Sequence, residues 1–124
     1  MRVHHIAIQV ADLAAMSAFY RDLLGLTETK AARDGVTWFT AGEIILMLEP
    51  VNGAIRDEVF ASSTPGLHVV SFGIDVATRD AWKEKFATRA ILLERETPYS
   101  LFIRDPEGNR IGLTHFPVAE TPNR

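Results

Sequence analysis

The sequence predicts an α+β fold made of two βαβββ modules in tandem. Three observations carry this. A segment with two distinct faces opens each half, at 5–10 and again at 68–74. Each is followed by a capped stretch of helical periodicity, and each helix by three short β-rich segments. The order therefore restarts after roughly fifty to sixty residues, a match of pattern with little residue identity.

In the first half Ile6, Ile8 and Val10 alternate with His5, Ala7 and Gln9, so a strand is expected with one apolar and one mixed face. Asp12 is a good N-cap, and Leu13, Met16, Phe19, Tyr20, Leu23 and Leu24 recur at helical spacing until Gly25, which predicts a helix over 13–24. A Thr-rich strand over 26–30 follows, then a turn at Gly35, a strand over 36–40, and after Gly42 a strand over 44–49 closed by Pro50. Asn52-Gly53 and Thr64-Pro65-Gly66 mark 51–66 as a linker, with one helical turn expected from Arg56 to Ala61.

In the second half Val70, Phe72 and Ile74 alternate, and Thr78 is expected to cap a helix in which Trp82 and Phe86 lie four apart and pack on the sheet. Strands are expected at 91–93, 99–104 and 110–116. The last two are joined by Asp105-Pro106-Glu107-Gly108-Asn109, a strong hairpin signal. The boundaries are then module one about 1–50, linker about 51–66 and module two about 67–117, within a single domain of 124 residues.

Composition excludes several classes. At 47% hydrophobic and 23% charged residues the chain is neither disordered nor fibrous. It has no cysteine, which removes disulfides, thiolate metal sites and a thiol nucleophile. A net charge of −3 without a Lys or Arg run argues against nucleic acid. The first ten residues alternate in polarity and no apolar run reaches the length of a membrane span, so neither a targeting segment nor a membrane is expected, and the cytoplasm is the default location. No serine-triad motif, phosphate loop, dinucleotide fingerprint or paired zinc histidines occurs.

Residues 5–12, the pairs Phe19-Tyr20 and Leu24-Gly25, and residues 102–111 resemble the vicinal oxygen chelate superfamily. That superfamily includes glyoxalases, bleomycin-resistance proteins and extradiol dioxygenases. The resemblance covers nearly the whole chain. It implies a glyoxalase-like fold, in which the two modules form an open, curved mixed sheet around one pocket, and it implies a homodimer. Its enzymes hold a divalent metal with ligands from the first and last strand of each module.

Carried over residue by residue, the resemblance places His5 at the first ligand position. It places Val69 at the second, with His68 one residue early; Leu46 at the third, with Glu49-Pro50 just after; and Gly112 at the fourth, with His115 three positions on. One imidazole cannot hold a catalytic divalent ion against water, so His5 is left as the sole metal candidate of a degenerate site. Without partner ligands it can equally be a strand-edge histidine. A rival set of His5, Glu49, His68 and His115 keeps one ligand on each of the four strands for Zn, Ni, Mn or Fe, but needs β-bulges to restore register. By strand parity alone, His68 is an ordinary strand-start residue facing the helices or solvent, and Glu49 a rim carboxylate.

The function expected is therefore a small-molecule binding protein of the bleomycin-resistance type, with no cofactor favoured. Its pocket would be lined by Leu46, Leu48, Val69, Phe102 and Thr114, with Gln9 and Ser71 orienting the ligand and Trp38 as a stacking surface. The alternative is a divalent-metal-dependent lyase, isomerase or dioxygenase acting on vicinal oxygens, with Glu49 or His115 as base. A third reading makes the chain only an assembly partner. Arg89, Glu94, Arg95 and Glu96 are expected to form a solvated charged face.

Overall fold

The alternation at the start of the chain becomes strand β1 (His5–Val10), and the polar residue behind it starts the first helix. The Asp12 carboxylate accepts from the Ala15 amide at 3.0 Å and opens α1 (Leu13–Ala18), as an N-cap should. The helix then widens into a π-helical turn, Phe19–Leu23, whose last bonds run from the amides of Leu24 and Leu26 to the carbonyls of Phe19 and Tyr20. Gly25, at φ 75°, supplies the left-handed residue that ends it.

The computed structural model describes residues 1–29, 35–55 and 64–120, and the chain divides into two units, Met1–Asp57 and Glu58–Arg124. The helical turn expected from Arg56 to Ala61 lies outside the described residues. Among those described, no helix is long and apolar enough to cross a membrane.

In the first unit β2 (Thr27–Glu28), β3 (Thr37–Ala41) and β4 (Ile44–Pro50) join β1 in a four-stranded sheet ordered β1-β4-β3-β2, with β1 and β4 parallel. Register assigns the faces. Ile6 and Ile8 stand beside Leu46 and Leu48, which oppose Phe39 and Thr37. The first helix covers this face: Ser17 Oγ is 2.9 Å from Thr37 Oγ1, and the Tyr20 ring packs 6.3 Å from that of Phe39. Leu46 and Leu48, expected in a ligand pocket, are 1% and 0% exposed on that covered face. They belong to the core, because the phase of β4 is one residue away from the one the sequence suggested.

The second unit repeats the scheme with β5 (Val70–Gly73), α2 (Arg79–Thr88), β6 (Arg95–Glu96), β7 (Ser100–Arg104) and β8 (Arg110–Thr114), ordered β5-β8-β7-β6. Two expectations are corrected. The helical region starts at Asp75, which caps a 3₁₀ turn (Val76–Thr78) by accepting from the Ala77 amide, while the Thr78 hydroxyl donates back to the Asp75 carbonyl. No strand forms at 91–93: the Ile91 amide closes the end of α2 on the Phe86 carbonyl, and the ladder with β7 begins only beyond it.

Ile111 and Leu113 stand between Val70 and Phe72 on one side and Ile103 and Leu101 on the other, forming the second core face. Arg79 and Lys83 of α2 reach Glu96, the residue opposite Leu101, so α2 lies on that face. The hairpin behaves as its residues predict. Asp105, 4% exposed, accepts from the amides of Glu107 and Asn109 and from the Asn109 side chain at 2.9 to 3.1 Å.

Candidate functional site

Each sheet keeps one face that its helix does not cover, and most of the chemistry-bearing residues stand there. In the first unit the register places His5, Ala7 and Gln9 beside Ile45, Met47 and Glu49, with Trp38 opposite Met47 and Thr40 opposite Ile45. His5, Gln9 and Thr40 are exposed, while Trp38, Ile45, Met47 and Glu49 are half-buried. The chain position between Leu46 and Leu48 that looks to this face is Met47, a soft apolar side chain the sequence reading passed over.

In the second unit the corresponding face carries Ser71 beside Gly112, Phe102 opposite Gly112, and Thr114 opposite Ser100 with their hydroxyls 2.9 Å apart. Half-buried Val69 immediately precedes β5. The close approach at Gly112 is the strongest constraint: a Cβ there would lie 2.3 Å from Ser71 Oγ and 3.3 Å from the Phe102 ring. Glycine is required by space, since its backbone is not left-handed.

An arginine that the sequence reading missed organises this face. Arg110, 7% exposed, lays its guanidinium 4.2 Å over the Phe102 ring and places Nη1 2.8 Å from His68 Nε2. The guanidinium donates, so the lone pair of His68 Nε2 accepts. The only advance signal was an arginine in phase with Gly112 and Thr114. Glu94 does not belong to a merely solvated face: it pairs with Arg104 and lies 3.8 Å from Arg110. Glu96 likewise pairs with Lys83 and Arg79.

The Arg104 hydrogen bond holds Glu94 below its ordinary value of 4.5 against the opposing effect of burial, and the charges of Arg104 and Arg110 add to it. Glu96 is lowered chiefly by its bond to Lys83. A depressed carboxylate contributes stability that is present above the unfolded value and lost as pH falls through the folded one. Unfolding free energy is thus expected to fall as the solution is acidified through 4.5, and Glu94→Gln should flatten that fall. Urea titrations at a series of pH values check it; an unchanged slope in the variant would remove Glu94 from the account.

The resemblance implies a divalent metal, and the residues present do not fit one within either unit. Glu49 stands beside Gln9, four residues along from the level of His5, which is about 13 Å in a strand. His115, 5% exposed, is on the α2 side, where Arg79 Nη1 is 2.9 Å from its Nε2 and its Nδ1 bonds the Val118 carbonyl. His68 Nε2 is taken by Arg110, and His5 Nδ1 lies 3.0 Å from His4 Nδ1. Among the described residues no three His, Asp or Glu side chains gather to hold an ion. The rival set is not brought together within a unit.

The family model of the Glyoxalase/Bleomycin resistance protein/Dioxygenase superfamily matches residues 2–113. No curated protein matches the sequence. Among solved structures, a lactoylglutathione lyase from Agrobacterium tumefaciens is 26% identical, with 93% of each chain covered and a TM-score of 0.70. A glyoxalase/dioxygenase from Nostoc punctiforme is 24% identical, over 94% of this chain and 91% of that one, with a TM-score of 0.80. The fosfomycin resistance protein FosX from Listeria monocytogenes is 18% identical, over 92% and 90%, with a TM-score of 0.74. The last two likenesses concern the fold alone.

Proposed function

Because the chain belongs to the Glyoxalase/Bleomycin resistance protein/Dioxygenase superfamily, we propose that it is a small-molecule binding protein with a degenerate metal site, holding its ligand on the sheet faces its helices leave uncovered. The observation that carries this reading is Gly112. The resemblance puts a carboxylate ligand there, and the volume such a side chain needs is taken by Ser71 Oγ and the Phe102 ring. Met47, between Leu46 and Leu48, is no better as a ligand for a hard divalent ion.

What these faces offer instead is apolar and aromatic area with a few polar groups for orientation: Trp38, Met47 and Gln9 in one unit, Phe102, Ser71 and Thr114 in the other. Affinity would come from burial, with hydroxyls and amides selecting among ligands of similar shape. A homodimer in the cytosol is part of the same proposal and rests on the family alone.

The likeness to a lactoylglutathione lyase favours a second reading, a metal-dependent lyase, isomerase or dioxygenase that would use His5 as a ligand. Metal analysis of protein purified without chelator separates the two. The binder is expected to retain only substoichiometric divalent metal and to gain thermal stability with aromatic, thiol-conjugate or hydroxy-ketone compounds. Stoichiometric Zn, Ni, Mn or Fe, lost on His5→Ala, would establish the enzyme and overturn the binder.

A further inference from the structure

Among the described residues of the first unit, two side-chain polar atoms are fully buried and have no hydrogen-bond partner: Thr29 Oγ1 and Trp38 Nε1. They belong together. The Thr29 amide donates to the Trp38 carbonyl at 2.8 Å, which extends the β2–β3 ladder by one residue beyond Glu28 and Phe39 and sets Thr29 directly opposite Trp38. Directly opposed residues of an antiparallel pair project to the same face, their Cβ atoms about 5 Å apart. That face is the uncovered one, because Trp38 also opposes Met47, which stands beside Ala7.

A buried donor or hydroxyl without a partner is destabilising, and native proteins keep few of them. Two on one cross-strand pair are a concentrated defect in an otherwise well-bonded sheet. The indole nitrogen can only donate, whereas the hydroxyl can donate or accept. A single oxygen with two lone pairs, placed between them, would satisfy both. We propose that Thr29 and Trp38 form a recognition subsite for a neutral carbonyl-type oxygen carried by a planar, otherwise apolar ligand. This rests on the binding reading above and deepens it.

The surroundings select the ligand class. Met47 lies against Trp38 in the neighbouring strand, and Ile45 adds a second apolar side chain. Among the residues whose register is given this face carries no Lys or Arg, His5 being its one basic group, and Glu49 shares it, which disfavours an anionic oxygen. Trp38 remains partly exposed, so a ligand can stack on the ring with its oxygen at the indole edge.

The test uses the full chain labelled with nitrogen-15, in which Trp82→Phe leaves Trp38 as the only indole N–H. Acetophenone is expected to move that resonance downfield and to saturate, while ethylbenzene, of like shape but lacking the oxygen, shifts it less and binds several-fold more weakly. In Thr29→Val the preference for acetophenone should shrink. The same variant, without any ligand, should unfold at a higher urea concentration, because it removes an orphaned hydroxyl and keeps the side-chain shape.

An acetophenone spectrum without a shift at Trp38, or a Thr29→Val protein less stable than its parent, would overturn the subsite. If ethylbenzene binds as well as acetophenone, the subsite fails and the binding reading stands. If neither compound perturbs any residue of the uncovered faces, both fail.

Discussion

Arg79→Leu is expected to lower the unfolding free energy by about 3 kcal/mol, the largest single loss foreseen outside the hydrophobic core. Arg79 is 3% exposed, and its guanidinium ties together parts of the second unit distant in sequence. It donates to the Thr97 carbonyl at 2.8 Å, lies 2.9 Å from His115 Nε2, and pairs with Glu96 at 3.5 Å and Glu120 at 3.1 Å. Leucine removes every one of those donors and leaves the buried His115 nitrogen without its partner, which is the costly half of breaking such a contact.

The two carboxylates keep their solvent, since their side chains are 47% exposed, so Glu120→Gln should cost well under 1 kcal/mol. Arg79→Lys should recover little, because a lysine cannot present several donors in a planar fork. Urea unfolding checks all three. A loss below about 1 kcal/mol for Arg79→Leu would mean that the cluster is held by backbone packing rather than by the guanidinium.

The second large effect is expected at Gly112. In an ordinary extended strand, glycine to alanine is favourable by several tenths of a kcal/mol through the unfolded chain. Here the added Cβ meets Ser71 Oγ at 2.3 Å and Phe102 at 3.3 Å, so Gly112→Ala should instead destabilise by about 1 to 3 kcal/mol. Ser71→Ala removes the nearer obstacle, and in that background the same substitution should cost about half as much. The coupling energy of the double-mutant cycle measures the contact directly. Additive effects would show that Ser71 turns aside freely, and would take away the main support for a site without room for a carboxylate at 112.

The parts of the fold that were legible were those in which a period could be seen. Ile6, Ile8 and Val10, and the spaced apolar residues from Leu13 to Leu24, gave faces the structure keeps; the Asp12 cap and the Asp105 turn work through local bonds that follow from residue type. β4 was legible as a strand but not in phase. Its run Ile44-Ile45-Leu46-Met47-Leu48 is apolar on both faces, so nothing in the residues distinguishes the core pair Leu46 and Leu48 from Met47. The strand expected at 91–93 had the opposite fault: an apolar triplet whose first amide closes the end of α2 lost to a charged pair, Arg95 and Glu96, placed by the ladder with β7.

The site was less legible because its decisive contacts are long-range. Strand parity alone could not show that Arg110 would reach back to His68 and lie over Phe102, or that Arg79 would claim His115. The orphaned atoms of Thr29 and Trp38 could not be inferred from sequence either, since an unmet hydrogen bond exists only once everything around it is in place.

The way each ladder closes has a consequence for the order in which the protein is made. Every β1–β4 pairing falls within the first 50 residues, and every β5–β8 pairing lies at 70 or beyond. The first sheet can therefore complete its hydrogen bonding while the second half is still inside the ribosome, and none of the described strands has to wait for a distant complement at risk of pairing with a neighbouring nascent chain. Vectorial synthesis suits such a layout.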